Sequence, residues 1–505
     1  MSFKFLSNKV FLIATGFSIL LLITGIIVGQ DTAASSTNIV DTTLSNAIVI
    51  SDSTTVLQQT EVIATPEQTQ VKSIGFSLIS LLRGMLGIFS VLLIGFLLSS
   101  NRKSIAIRTV LGGLAFQIVI AILVLKVPAI QSLIEFVGKM FIMVLKFTED
   151  GSVFLFGDLI NQDKVGFMFA FQILPTIVFF SALSSVLYYF GIIQGVVKVF
   201  AWVMTRLLNL SGAESLSAAG NIFLGQTESP LLIKAYLERM TKSELMLVMV
   251  GGMATIAGGV LAIYIKFLGG TNPVEQILFA KHLITASVMA APGAVVMAKL
   301  LIPQTEEISN KVEVSKEKIG SNILEAITNG TTDGVKLAVN VGAMLLAFLA
   351  FISMLNFIFF KIGVWTEING WVATFTNGRF DSFSLQFILG YAMAPLMWLI
   401  GVPTADITLV GQLLGEKIIL NEFIAYTSLK DFMASGIFAN EKSVIIATYI
   451  LCGFANFSSI GIQLGGIGAL APGKRTTLSK IGFKALMGGA LASLLSATII
   501  GMILG

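Results

Sequence analysis

Apolar residues run in long blocks along most of this chain, and polar residues interrupt them at a few recurring places. A first apolar run, 11–28, follows Lys4 and Lys9. It is either a secretory signal peptide or a spanning helix that starts in the cytoplasm. Its length, and the lack of a small-x-small cleavage site after it, favour a retained helix. Residues 31–73, rich in Ser, Thr, Gln and Asp, read as a flexible extracytoplasmic linker. Beyond them, blocks of about 20 residues or more, long enough to cross a hydrocarbon core, are predicted at 74–99, 105–126, 166–190, 244–268, 277–302, 334–361, 444–464 and 481–504.

Other blocks have an amphipathic pattern. In 127–148, Glu135, Lys139 and Lys146 recur on one helical face, and 195–208 carries Lys198, Trp202 and Arg206 in the same way. Both read as interfacial helices.

Two further blocks are broken in the middle. Residues 211–240 hold two short apolar halves around Gly225-Gln226-Thr227-Glu228-Ser229-Pro230, where Ser229 can cap and Pro230 can begin the second half. Residues 403–435 repeat the design, with Gly415-Glu416-Lys417 as the expected break and Asn421-Glu422 opening the second half. No half is long enough to cross a core of roughly 30 Å, so both read as re-entrant hairpins. Each is followed by an interrupted spanning segment, through Gly251–Gly259 in one case and Gly453–Gly461 in the other. Hairpin, broken helix and closing helix thus occur twice, and inverted repeats of discontinuous helices mark secondary transporters. Glu228 and Glu422 fall between membrane-buried halves, where a carboxylate is costly and therefore a functional candidate.

Composition agrees with a membrane body. Of 505 residues, 55% are hydrophobic and 12% charged, and mean hydropathy is +0.90; a soluble domain carries about 25% charged residues. Polar surface this scarce cannot cover the chain in water. The net charge of +4 bears on topology rather than on nucleic acid. Arg102, Lys103, Arg108, Arg239, Lys242, Lys311, Lys316, Lys318, Lys474, Arg475 and Lys480 mark connections on one side, cytoplasmic by the positive-inside rule, while 269–276 and 363–377 face outward. The single cysteine, Cys452, excludes an internal disulfide and a Cys-based metal site, and the single histidine, His282, reads as interfacial. No constellation for an enzyme is present. Gly468–Arg475 misses the phosphate-loop pattern by its last residue and follows no strand.

The string Gly415-Glu416-Lys417-Ile418-Ile419-Leu420-Asn421-Glu422-Phe423-Ile424-Ala425-Tyr426 resembles the G-x-K-x-x-x-N-E-F signature of concentrative nucleoside transporters. Gly225–Pro230 and Phe454-Ala455-Asn456-Phe457-Ser458-Ser459 look like that family's other binding strings. The resemblance covers about 74–505 and implies an all-α polytopic membrane protein of inverted repeats, with two re-entrant hairpins, two interrupted helices, and a scaffold that holds an elevator-type transport domain. It implies nucleoside import by symport with sodium or protons across the plasma membrane, the inner membrane of a bacterium, in a homotrimer set in lipid. By the same resemblance Gln226, Thr227 and Glu228 would bind the nucleobase and Val260 would line its pocket. Glu422, Asn456 and Ser459 would take the ribose hydroxyls, and Phe454 would pack on the nucleoside. Sodium would sit between the side chains of Asn221 and Thr255 and the backbone oxygens of Leu224 and Ile256. No other cofactor is implied. A symporter of another small polar solute is the alternative, and base preference stays open.

The chain therefore divides into an N-terminal hydrophobic helix (1–30), the linker (31–73), scaffold and interfacial helices (74–194), a first repeat (195–302), a cytoplasmic connection (303–333), a long scaffold helix with an external loop (334–380), and a second repeat (381–505).

Overall fold

The computed structural model describes residues 77–308 and 320–505. The helix and linker expected over 1–73, with Lys311, Lys316 and Lys318, lie outside the described residues. Among those described, every regular element is helical. The helices that position the site are, in chain order, α1 (Leu78–Leu97), α2 (Ile107–Lys126), α3 (Pro128–Phe156), α4 (Leu174–Tyr189), α5 (Ile192–Leu208) and α6 (Gly212–Gly220). Then come α7 (Lys242–Ala254), α8 (Gly258–Gly269), α9 (Pro273–Leu301), α10 (Ile323–Trp365) and α11 (Leu385–Leu399). The last five are α12 (Ile407–Ile419), α13 (Glu422–Ala434), α14 (Glu441–Leu451), α15 (Phe457–Leu470) and α16 (Arg475–Leu504).

Among the described residues, eight helices are long and apolar enough to cross a membrane. One of them includes the segment read as interfacial, 127–148. That segment opens α3, a 29-residue helix that starts on Pro128 and runs on through Glu149 and Asp150. Its charged stripe pairs with itself, Lys139 reaching Glu135 at 2.8 Å one turn away. The span expected at 444–464 is interrupted, as its sequence predicts, into the short pair α14 and α15. His282 is buried inside α9, with Tyr449 Oη 3.5 Å from its Nδ1, not interfacial.

Hydrogen bonds sort the connections by end. Lys484 Nζ donates to Leu98 O at 2.9 Å, Ser100 N to Leu301 O at 2.9 Å, and Lys474 Nζ to Met240 O at 2.9 Å. The basic connections at Arg102, Arg239 and Lys474 thus share one end, the cytoplasmic one by their charge. At the other end Arg83 Nη2 donates to Val402 O at 3.1 Å and Lys442 Nζ to Gly505 O at 2.8 Å.

Hairpin 1 enters from the basic end. Its first limb, α6, starts in a capping box of Ser211 and Glu214. Glu214 also pairs with Lys299 of α9, both side chains almost fully buried. The return limb is a 3₁₀ turn, Ser229–Ile233, with Pro230 at its start as expected. Ser229 does not cap it; its hydroxyl donates instead to Ser217 O across the hairpin, at 2.9 Å. Hairpin 2, α12 and α13, enters from the opposite end, where Asp406 accepts from Ala439 N and Asn440 N at 2.9 and 3.1 Å.

Gly415-Glu416-Lys417 is not the break in hairpin 2. Helix α12 passes through all three residues, and the turn falls at Leu420-Asn421. Gly415 serves packing. A Cβ there would lie 2.7 Å from Leu389 Cβ, and one on Gly411 would lie 2.6 Å from Gly390 O. This Gly-x-x-x-Gly face lets α12 lie against α11 at backbone contact.

Candidate functional site

Four discontinuities meet in the interior: the two hairpin tips, and the unwound stretches Thr255–Ala257 between α7 and α8 and Cys452–Asn456 between α14 and α15. A helix end leaves backbone donors or acceptors unpaired, so each break supplies polar groups to a mostly apolar interior. The two breaks cross closely. Gly453, at φ +115°, lies where a Cβ would be 2.7 Å from Met253 O, which restricts the position to glycine on both counts.

One cluster joins hairpin 2 to the second break. Asn421 caps α13, its Oδ1 accepting from Ile424 N at 3.0 Å, and so fixes the turn that presents Glu422. Asn456 caps α15 and accepts from Ser459 N at 2.9 Å, while its Nδ2 donates to Glu422 Oε2 at 2.8 Å. Tyr264 Oη donates to Glu422 Oε1 at 3.5 Å, and the Tyr264 ring stacks on Tyr426 with centroids 4.0 Å apart. Glu422 is 3% exposed. Phe454 and Val260 are buried nearby along the chain, the first in the second break and the second at the start of α8.

A second cluster joins hairpin 1 to α15. Gln226 Nε2 donates to Ser459 Oγ at 3.3 Å, and Gln463 Nε2 donates to Gln226 Oε1 at 3.2 Å and to Met249 O at 3.1 Å. Thr227 is exposed, and Glu228 accepts from Gly225 N at 3.1 Å within its own tip. Ser459, held through Asn456, links the clusters. A carboxylate with a carboxamide donor beside it suits vicinal hydroxyls, and a carboxamide with a hydroxyl suits a base edge of mixed donors and acceptors.

The expected ion position lies below the first tip. Asn221, 1% exposed, ends α6 with both side-chain polar atoms unpartnered. Leaving two polar atoms dry is costly unless a ligand satisfies them. Thr255 ends α7, its hydroxyl donating to Gly251 O at 2.9 Å and so turning its lone pairs outward from the helix. Leu224 and Ile256 are buried beside them in sequence. Gly258 N donates to Phe223 O at 3.1 Å, which ties this tip to this break. Glycines make the room: a Cβ on Gly251 would lie 2.9 Å from Asn221 Nδ2, and one on Gly252 would lie 2.8 Å from Gln226 Cβ. The donor set is all oxygen and amide, which fits a hard monovalent cation; among the described residues no group of three His, Cys, Asp or Glu side chains could hold a metal.

Tyr264, Gln463 and Lys417 join the site without having been expected there. The first two carried a legible signal. Tyr264 follows Val260 by one helical turn, and Gln463 follows Ser459 by one turn as the single amide of an otherwise apolar helix.

Three family models match the chain in order. They describe the N-terminus of Na⁺-dependent nucleoside transporters (86–159), a nucleoside-recognition gate (170–271), and the C-terminus of Na⁺-dependent nucleoside transporters (282–501). An uncharacterized transporter of Haemophilus influenzae is 43% identical over 431 residues, which is 84% of this chain and 98% of that protein. The sodium/nucleoside cotransporter 2 of Rattus norvegicus is 39% identical over 435 residues, covering 83% of this chain and 62% of the longer rat protein. Among solved structures, CNTnw in an inward-facing substrate-bound state superposes with a TM-score of 0.76 at 39% identity, over 84% of this chain and 99% of that one. With its two inverted hairpins, two interrupted helices and these matches across the whole membrane body, the chain belongs to the concentrative nucleoside transporter family.

Proposed function

We propose that the chain imports nucleosides across the plasma membrane by symport with sodium, the substrate held between the two hairpin tips. The observation that carries the reading is the joining of Glu422 to Asn456 and of Gln226 to Ser459, which brings both hairpin tips to the second break and the helix that follows it, in one polar cluster. In this reading Glu422, Asn456 and Ser459 take the ribose hydroxyls, while Gln226, Thr227 and Glu228 take the base edge. Val260 lines the base pocket and Phe454 packs on the nucleoside. Sodium binds at Asn221, Thr255 and the carbonyls of Leu224 and Ile256, where it satisfies the unpartnered Asn221 amide.

Because that amide ends the first limb of hairpin 1, whose tip carries Gln226, ion and substrate order the same few residues, which is a physical route to coupling. The two repeats would move as one elevator-like body against the scaffold in a homotrimer. The names of the relatives point to nucleosides, and no feature of the site favours another polar solute. The test is uptake of radiolabelled uridine and adenosine by reconstituted vesicles. A sodium gradient should drive both above equilibrium. Equal uptake in choline with only a proton gradient would replace sodium by protons, and no nucleoside uptake under either gradient would overturn the reading.

A further inference from the structure

Lys417 is the one fully buried lysine in the second repeat, at 0% exposure in the last two turns of α12. Its ammonium donates to Ile450 O at 2.8 Å, to Ser493 Oγ at 3.2 Å and to Cys452 O at 3.4 Å. All three acceptors are neutral oxygens, and an ammonium has three donors to give. Two of the acceptors are the carbonyls at the C-terminal end of α14, where helix carbonyls are unpaired and the helix dipole is negative. Ser493 comes from the closing helix α16, and its hydroxyl also donates to Cys452 O at 2.7 Å.

The first repeat assembles the same parts around its ion position. There the first hairpin limb ends at Asn221, the first half of the broken helix ends at Thr255, and the closing helix α9 sends Ser287, whose hydroxyl donates to Ile222 O at 3.1 Å. In each repeat, then, a hairpin limb, the carbonyl end of a half-helix and a serine of the closing helix surround one position. The repeats differ in what the hairpin limb contributes. In the first it is a neutral amide with both polar atoms unpartnered. In the second it is a cation whose every donor is taken.

We propose that Lys417 is a tethered cation that fills, in the second repeat, the place the coupling sodium takes in the first. This rests on the sodium reading given above for Asn221 and Thr255. The consequence is an asymmetry of function. The second repeat keeps its unwound carbonyls satisfied at all times, so Glu422, just after Lys417 in the chain, and Asn456, just after Cys452, stay placed without an ion. The first repeat is ordered only when sodium arrives. One external ion per nucleoside follows, and Lys417 is a positioning residue that acts through the Cys452–Asn456 turn.

Removing the ammonium should open the second place to sodium. The test compares Lys417→Ala with Lys417→Arg and the unaltered protein, as purified full-length chains. Melting is followed in sodium and in choline without nucleoside, and uptake is followed against sodium concentration. The unaltered protein and Lys417→Arg should give a sodium Hill coefficient of about 1, and Lys417→Ala should approach about 2, since the coefficient is bounded by the number of coupled sites. Lys417→Ala should also gain more thermal protection from sodium than the unaltered protein does, because a second ion then binds only the folded state. If Lys417→Ala shows the sodium dependence of the unaltered protein, the proposal is wrong. It is equally wrong if that variant stays unfolded in sodium as in choline, because the ion then cannot stand in for the ammonium. Lack of any sodium effect on the unaltered protein would instead sink the coupling assignment at Asn221 and Thr255, and the melting of Lys417→Ala would still report on its own site.

Discussion

Replacing Glu422 by glutamine changes one oxygen to an amide and removes one charge while keeping the side chain's shape. The Asn456 Nδ2 donor at 2.8 Å still finds the retained carbonyl oxygen, so the tie between hairpin 2 and the second break survives. What is lost is the second oxygen, now an amide that donates where a ribose hydroxyl needs an acceptor. A hydrogen bond to a charged group contributes about 1.5–3 kcal/mol and a neutral one about 0.5–1.5 kcal/mol. With Glu422 only 3% exposed, water cannot replace the lost partner, so the upper part of the range applies. Riboside affinity should fall by about 1.5–3 kcal/mol, roughly ten- to a hundredfold or slightly more at 1.4 kcal/mol per decade. A 2′,3′-dideoxyriboside never used those oxygens and should bind the variant about as it binds the unaltered protein. The assay is calorimetric binding of uridine and its dideoxy analogue at saturating sodium. If the riboside preference survives in Glu422→Gln, the carboxylate does not read the sugar, and the assignment of this cluster fails with it.

Three further outcomes test other parts. Asn221→Leu fills the space and removes both unpartnered amide atoms, so the sodium concentration for half-maximal uptake should rise at least about tenfold, the equivalent of about 1.4 kcal/mol; an unchanged sodium curve would clear Asn221 of ion binding. Lys299→Met leaves the buried Glu214 carboxylate without its cation, a change that costs about 3–5 kcal/mol; melting in detergent should drop sharply, and Lys299→Met with Glu214→Gln should recover part of the loss, whereas an additive double variant would deny the pair any coupling. In a Cys452→Ala background, single cysteines at the exposed positions Thr227 and Ile419 should label at rates that change with nucleoside plus sodium, and an impermeant reagent added outside should favour the Ile419 site; strong outside labelling of Thr227 alone would invert the topology drawn from the basic connections.

The repeat was legible in sequence because a membrane permits so few reasons for polar residues inside apolar blocks. Glu228 and Glu422 stood out by that rule, and the structure puts each at a hairpin tip. The error at Gly415-Glu416-Lys417 has the same origin. A glycine followed by two charges looks like a break, yet Gly415 is a contact with Leu389, and Lys417 finds its acceptors 33, 35 and 76 positions further on. Partners that distant leave no local pattern to read.

Asn456 shows why the breaks, rather than the acids alone, make the site. A carboxamide can present either atom to a neighbour, and only its bonds decide which. Capping α15 requires an acceptor, so Oδ1 is committed to Ser459 N at 2.9 Å, and Ser458 Oγ donates to the same atom at 2.6 Å. Nδ2 is then the atom left to face hairpin 2, and it meets Glu422 as a donor. Asn421 repeats the arrangement on the other side, since its cap on Ile424 N fixes the helix start that carries Glu422. The orientation of the polar chamber therefore comes from helix capping, a local backbone requirement. If either helix unwound by a turn, the donor and the acceptor that meet at 2.8 Å would lose their directions together. A hairpin that moves as a rigid limb can carry such a chamber across the membrane intact, whereas one that frayed would lose its substrate contacts on the way.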